Sequence, residues 1–230
     1  MMPIRNFVFY LGSITVMILC VMLTLVFCFA PFKVRYYITT FWSRFVIFWA
    51  KLTCGLSYKV EGHENLPKKS AIVISNHQST WETLFMQVLL PVQTWVLKRE
   101  LLFIPFFGWG LYLIQPIAIR RNKLNSVSKL IHEGTLRLKQ GRFVVIFPEG
   151  TRVAANHLGR FSRSAAALAE ASQFPVVPIA HNAGKFWPRG FFIKRPGTVI
   201  VRIGPMIDPK GKTATEINDL ARNWIAAHLP

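Results

Sequence analysis

The chain has 230 residues, room for one ordinary domain with a substantial core and one further element. Apolar residues make up 52% and charged ones only 17%, yet 28 Lys and Arg face 10 Asp and Glu, and the resulting +18 points to an anionic partner, either nucleic acid or an acidic membrane surface. Three scattered cysteines, Cys20, Cys28 and Cys54, have neither CxxC nor Cys/His ligand spacing, which argues against a disulfide framework and a structural zinc site.

Residues 7–30 carry no charge and are followed by Pro31, Lys33 and Arg35. At about 1.5 Å per residue a helix of that length spans the roughly 30 Å hydrocarbon core of a bilayer. A secretory signal has an apolar core of only about 7–15 residues before a small-residue cleavage site. This run is longer and leads into Pro-Phe-Lys, so it reads as an uncleaved anchor. Residues 36–56 form a second apolar stretch, broken by Arg44 and Lys51 and rich in Trp42, Phe45 and Trp49. It fits a helix in the interface, a second spanning helix with snorkelling cations, or the return arm of a hairpin dipping into one leaflet.

After residue 57 short β-branched runs alternate with helical periods. Strands are expected at 71–75, 94–97, 116–119, 143–147, 176–180 and 198–203, and helices at 79–90, 124–140, 162–171 and 215–228. This pattern defines an α/β fold with a mixed, largely parallel sheet flanked by helices, preceded by one or two N-terminal membrane helices. Two segments are unusually aromatic. FIPFFGWGLYLI (103–114) fits a buried core segment as well as an exposed one, and GKFWPRGFFIKRPG (184–197), basic as well, reads as membrane-surface contact.

Chemistry-bearing residues gather where the expected strands end. The strand at 71–75 runs into Asn76-His77-Gln78-Ser79-Thr80-Trp81-Glu82. A histidine oriented by a carboxylate is a general-base unit, since the carboxylate fixes the tautomer while the other ring nitrogen accepts a proton. Five residues apart, His77 and Glu82 share no helix face, but they can meet if His77 lies in the turn before the helix and Glu82 in its first turn. Ser79-x-x-Glu82 is equally a capping box, in which Glu82 serves only the Ser79 backbone, unless its two oxygens serve both ends. The strand at 143–147 runs into Pro148-Glu149-Gly150-Thr151-Arg152, with a glycine that admits close backbone approach and a guanidinium suited to phosphate. Lys98-Arg99-Glu100 and Arg120-Arg121-Asn122 end two further strands. The cations lie on strand ends and membrane-like segments, and no basic helix or stripe of the nucleic-acid-binding kind is present, so nucleic acid is not expected as a partner.

Together these blocks resemble the glycerolipid acyltransferase family, which includes the bacterial 1-acyl-glycerol-3-phosphate acyltransferases. Asn76 and His77 with Glu82 resemble its N-H-x4-D block, Phe147 to Arg152 its F-P-E-G-T-R block, Arg121 its strand-end arginine, and Val176-Val177-Pro178-Ile179 its apolar block with a proline. The resemblance covers about residues 57–205 in order and spacing. It departs from the family pattern in Glu82 for Asp, Arg120 for an acidic residue, Gln115 for a frequent Gly, and Ser162-Arg163-Ser164 for a basic pair. It implies a catalytic domain at 57–230 behind anchoring helices at 1–56, on a membrane, with the domain on the cytoplasmic side of a bacterial inner membrane. His77 would deprotonate a lysophosphatidic acid hydroxyl, oriented by Glu82. Arg152 and Arg121, with Lys98, would hold the phosphate, and Glu149, Gly150 and Thr151 would shape the acceptor site or brace Arg152. Acyl-CoA or acyl-carrier protein would be the donor, with no metal or bound cofactor. Glycerol-3-phosphate, another lysophospholipid or a lyso-aminolipid stands as an alternative acceptor, and an inactive lipid-binding scaffold as an alternative role.

Overall fold

The computed structural model describes residues 2–120, 125–190 and 194–230. The chain begins with α1 (Met2–Val26) and α2 (Phe32–Cys54), paired in antiparallel register. Trp42 Nε1 donates to the Ser13 carbonyl at 2.8 Å, Trp49 Nε1 to Val8 at 3.2 Å, and Arg5 Nε to Thr53 at 2.6 Å. Gly12 makes this approach possible, because a Cβ there would lie 2.6 Å from the Trp49 indole nitrogen. Ile4–Val26 is apolar and long enough to cross a membrane. The α2 helix buries Tyr36, Thr40, Ser43, Val46, Ile47, Ala50 and Cys54 on one side, and its Ser43 hydroxyl hydrogen-bonds Gln87 of the following helix.

The sheet follows as β1 (Leu56–Glu61), β2 (Ile72–Ser75), β3 (Gln93–Lys98), β4 (Ile117–Ile119), β5 (Phe143–Ile146), β6 (Val176–His181) and β7 (Gly197–Ile203). Among the described residues the order is β1-β7-β6-β2-β5-β3-β4, with every pairing parallel except β6 with β7. Between the strands run α3 (Trp81–Leu89), α4 (Phe107–Leu113), α5 (Ser126–Lys139), α6 (Ser164–Ser172) and α7 (Ala183–Phe186), and α8 (Ala214–Ala227) follows β7. The mixed, mainly parallel α/β architecture is the one expected from the alternation of β-branched runs and helical periods.

Successive strand residues point to opposite faces, and both faces are dry. Val73, Val145 and Val177 join α2 and α3 in one core, together with Phe9 of α1. Ile72, Val144 and Val176 join α5, α6 and α8 in the other. The first core runs unbroken from the helical pair into the sheet.

Four features go beyond the sequence reading or against it. The edge strand β1 is not among the expected strands, because LSYKVE is mostly polar; it is held by parallel pairing with β7. Gln115 adopts φ +54°, a conformation glycine holds without strain, and its Oε1 takes two 3.1 Å hydrogen bonds from Arg142. The segment at 103–114 is not simply core, since Phe103 and Tyr112 are each 71% exposed and Trp109 46%. Conversely, much of 184–197 turns inward, although residues 191–193 of that segment lie outside those described. Trp187 is buried, and Lys194, 3% exposed, sits with Nζ 3.9 Å from the Tyr10 ring, 4.3 Å from Phe9 and 4.6 Å from Trp187. Burial pushes the Lys194 ammonium down to about 8, while the three ring faces supply the attraction that burial removes from water.

Candidate active site

Because β2, β3, β4, β5 and β6 run in one direction, their carboxyl ends share one edge of the sheet, where ligands bind in open α/β folds. The segment from Asn76 to Thr80 leaves the central strand β2 at this edge and turns into α3. Its start is fixed from behind by His181, the last residue of β6. Asn76 Nδ2 donates to the His181 carbonyl at 2.9 Å, and the His181 N–H donates to Asn76 Oδ1 at 3.1 Å. The fully buried His181 ring bridges the Asn76 carbonyl at 2.8 Å and the Ala183 N–H at 3.3 Å, which fixes it as the neutral Nε2–H tautomer. Burial holds the His181 imidazole below its ordinary value, against the pull of Glu82.

Glu82 lies in the first turn of α3 and is 0% exposed. Its Oε1 accepts from His77 Nδ1 at 2.9 Å, from the Gln78 N–H at 2.8 Å and from the Ser79 N–H at 2.7 Å. The carboxylate therefore meets both the histidine and the backbone, and it does so through one oxygen. The reciprocal half of a capping box is absent, since Ser79 Oγ accepts from the Trp81 N–H. Burial alone would raise the Glu82 carboxyl; the neighbouring His181 and His77 imidazoles, the His77 bond and the Ser79 N–H outweigh it and hold the group below the usual carboxylate range. An ionised carboxylate can only accept, so Nδ1 of His77 carries the proton and Nε2 is left basic. The imidazole stacks on Phe147, with centroids 4.6 Å apart.

The turn after β5 supplies the second wall. Glu149 points back into the structure: Oε1 accepts from the His77 N–H at 2.9 Å and Oε2 from the Gly159 N–H at 3.0 Å. Its oxygens meet backbone N–H groups and Arg152 bonds Thr80 instead, which corrects the bracing role read from the sequence. Burial raises the Glu149 carboxyl, and the His77 and Gly159 N–H bonds only partly offset it. Gly150 takes φ +67° and, with Thr151, lines the cleft. Arg152 turns the other way, with Nη1 donating to Thr80 Oγ1 at 2.9 Å. Lys98 stands exposed on the same cleft, and Arg121 lies outside the described residues.

The resulting cleft, of about 360 Å³, contains His77, Thr80, Arg152, Arg189 and Lys98 beside an apolar wall of Trp42, Leu84, Leu101, Phe107 and Leu111. A basic imidazole nitrogen in such a cleft can take a proton from a hydroxyl, next to cations for an anion and carbon walls for a chain. His181 and Arg189 are the contributors not singled out from the sequence, while Thr80 and Phe147 lie within the two blocks without a role assigned there. The one signal for His181 was a His-Asn pair closing a strand that ends on the same edge.

These features fit an enzyme that takes a proton from a hydroxyl, and comparison with known proteins gives its class. Residues 57–182 match the Acyltransferase family model. A 1-acyl-sn-glycerol-3-phosphate acyltransferase of Pseudomonas aeruginosa is 44% identical over 201 residues, spanning 85% of this chain and 78% of that protein. One of Saccharomyces cerevisiae is 32% identical over 176 residues, of which the chain spans 58% of the yeast protein. The crystal structure of the 1-acyl-sn-glycerophosphate acyltransferase PlsC from Thermotoga maritima has the same fold, with a TM-score of 0.81 at 23% identity, covering 99% of this chain and 95% of that one. The chain belongs to the acyltransferase family.

Proposed function

We propose that the protein moves a fatty acyl chain from acyl-CoA or acyl-carrier protein to the free hydroxyl of 1-acyl-glycerol-3-phosphate, forming phosphatidic acid. The observation that carries this reading is the buried His77–Glu82 pair opening onto a cleft with apolar walls and cations. His77 Nε2 takes the hydroxyl proton as the oxygen attacks the thioester carbon, and Glu82 stabilises the imidazolium. Arg152, pre-oriented by Thr80, and Lys98 attract the acceptor phosphate. The names of the Pseudomonas and yeast relatives support this acceptor.

The test is thiol release by the purified protein in vesicles, offered lysophosphatidic acid, glycerol-3-phosphate and other lysolipids in turn. Lysophosphatidic acid is expected to be the preferred acceptor, and preference for another lipid would replace it. Arg152→Ala is expected to raise the acceptor KM about tenfold with little change in the donor KM, the cost of one charge-assisted contact. Unchanged acceptor kinetics would remove Arg152 from the phosphate site.

The proposed reaction runs at a membrane surface, in a bacterium the cytoplasmic face of the inner membrane. Exposed large apolar side chains concentrate on α1, α2 and residues 103–112, and are otherwise scattered singly. The 103–112 segment also contributes Leu101's neighbours Phe107 and Leu111 to the cleft wall. In a Cys28→Ser background, a polarity-sensitive fluorophore on Tyr112→Cys is expected to shift to the blue in vesicles and to be quenched by brominated lipid. The same probe on Leu220→Cys, exposed on α8, is expected to remain open to aqueous iodide. Equal iodide access at both positions would detach 103–112 from the bilayer.

A further inference from the structure

The cleft holding His77 is not the only depression at this edge of the sheet. A second groove, of about 560 Å³, opens on the opposite face, over Leu130, Ile146 and Phe161. The two share Val96, Leu97, Lys98, Phe147 and Gly150, so they are continuous around the turn after β5. Beyond that turn the groove is bordered by Arg160, Ser162 and Arg163. Arg160 and Arg163 are exposed and enter no ion pair among the described residues; Arg163 Nη1 makes a 3.3 Å contact to Thr215. Among the described residues lining the groove the one carboxylate is Glu149, whose oxygens face the backbone N–H groups of His77 and Gly159 and pair with neither arginine. The border is thus cationic in excess.

The two depressions also face different surroundings. The first lies on the side of α2 and α4, where the apolar surface gathers. The second lies on the side of α5 and α6, whose exposed large apolar residues are only Val127 and Leu136. An amphiphilic acceptor arrives from the first side. The other reactant must bring its acyl carbon to the same imidazole, and a water-borne carrier reaches it from the second. An acyl thioester has the shape for this path: a slender arm of amides and methylenes that ends in phosphate. Gly150, at φ +67°, lets such an arm pass close to the backbone.

We propose that this second groove binds the phosphate-bearing end of the acyl donor, with its pantetheine arm crossing Phe147–Gly150 to present the thioester at His77. The assignment rests on the acyl-transfer reading above. In the step itself the acceptor oxygen forms the ester C–O bond, the C–S bond breaks, and the thiolate leaves toward the groove. The proton held on His77 is then available to it.

The experiment compares acyl-pantetheine, acyl-4′-phosphopantetheine and acyl-CoA, all with the same acyl chain, as donors for the full-length protein in vesicles. Arg160→Glu and Arg163→Glu are expected to raise the KM for phosphate-bearing donors about tenfold or more. They are expected to leave the KM for acyl-pantetheine and for the lysolipid acceptor unchanged. An effect on both phosphate-bearing donors assigns the pantetheine phosphate, which a carrier protein shares; an effect on acyl-CoA alone assigns the nucleotide phosphates. Arg160→Gln, a neutral change at a side chain without a partner, gives the same ranking if charge reversal disturbs folding. A rise in acceptor KM instead, or no change in any KM, overturns the groove assignment. A wild-type protein that releases thiol from none of the three sinks the acyl-transfer reading itself.

Discussion

Replacing His77 by alanine is expected to lower kcat by about 10²–10⁴, the usual worth of a positioned general base. The geometry makes the loss specific to turnover. Nδ1 is tied to Glu82 at 2.9 Å and the ring face rests on Phe147, so Nε2 is the ring position left to a reacting hydroxyl. The His77 main chain is held separately: its N–H donates to Glu149 at 2.9 Å and its carbonyl accepts from Val153 at 2.8 Å. Truncating the side chain leaves these bonds in place, so the turn and both substrate KM values should change little. Thiol-release kinetics against both substrates, with a thermal melt alongside, measure this. Activity retained within a few-fold would remove His77 from the chemistry.

Glu82 separates orientation from capping. In Glu82→Gln the side-chain oxygen can still accept the Gln78 and Ser79 N–H groups, so the start of α3 should survive. That oxygen can also still accept from His77 Nδ1, so the ring keeps its orientation, but the amide is neutral and no longer stabilises the imidazolium formed on proton transfer. A kcat loss on the order of 10²–10⁴ with a small stability change is expected. Glu82→Ala leaves two buried donors without an acceptor, at about 1–3 kcal/mol each, and should destabilise the fold visibly. The pH dependence carries a sign. A carboxylate held below its ordinary range contributes stability that is present above its unfolded value and lost as the pH falls through its folded one. Wild type should therefore lose melting temperature on acidification more steeply than Glu82→Gln. A glutamine variant that keeps full activity and only melts earlier would reduce Glu82 to a helix cap.

Local pattern was enough to read β2, β5 and β6, because fully buried strands leave continuous β-branched runs, and enough to place His77 and Glu82 on either side of a helix start. It failed where long-range contacts decide. Glu149 and Arg152 are near neighbours in the chain and suggest a pair, yet the left-handed Gly150 between them sends one to the His77 backbone and the other to Thr80. The two aromatic segments have similar compositions and different fates. Trp187 and Lys194 turn inward because Phe9 and Tyr10 of the first helix receive them, whereas Phe103, with the Arg99 guanidinium over its ring, and Tyr112 stay exposed. Likewise Glu82 uses one oxygen for three donors, an arrangement that spacing alone does not reveal.

The enclosure of Lys194 by Phe9, Tyr10 and Trp187 bears on how the chain is made. In chain order α2 follows α1 at once, whereas Trp187 and Lys194 come only after β6, so the early turns of α1 meet α2 before they meet these two residues. Contacts of such wide separation raise the contact order and are made late. The ring faces around Lys194 thus close over a helical pair already formed, and the cation is sealed in only once β6 has joined the sheet.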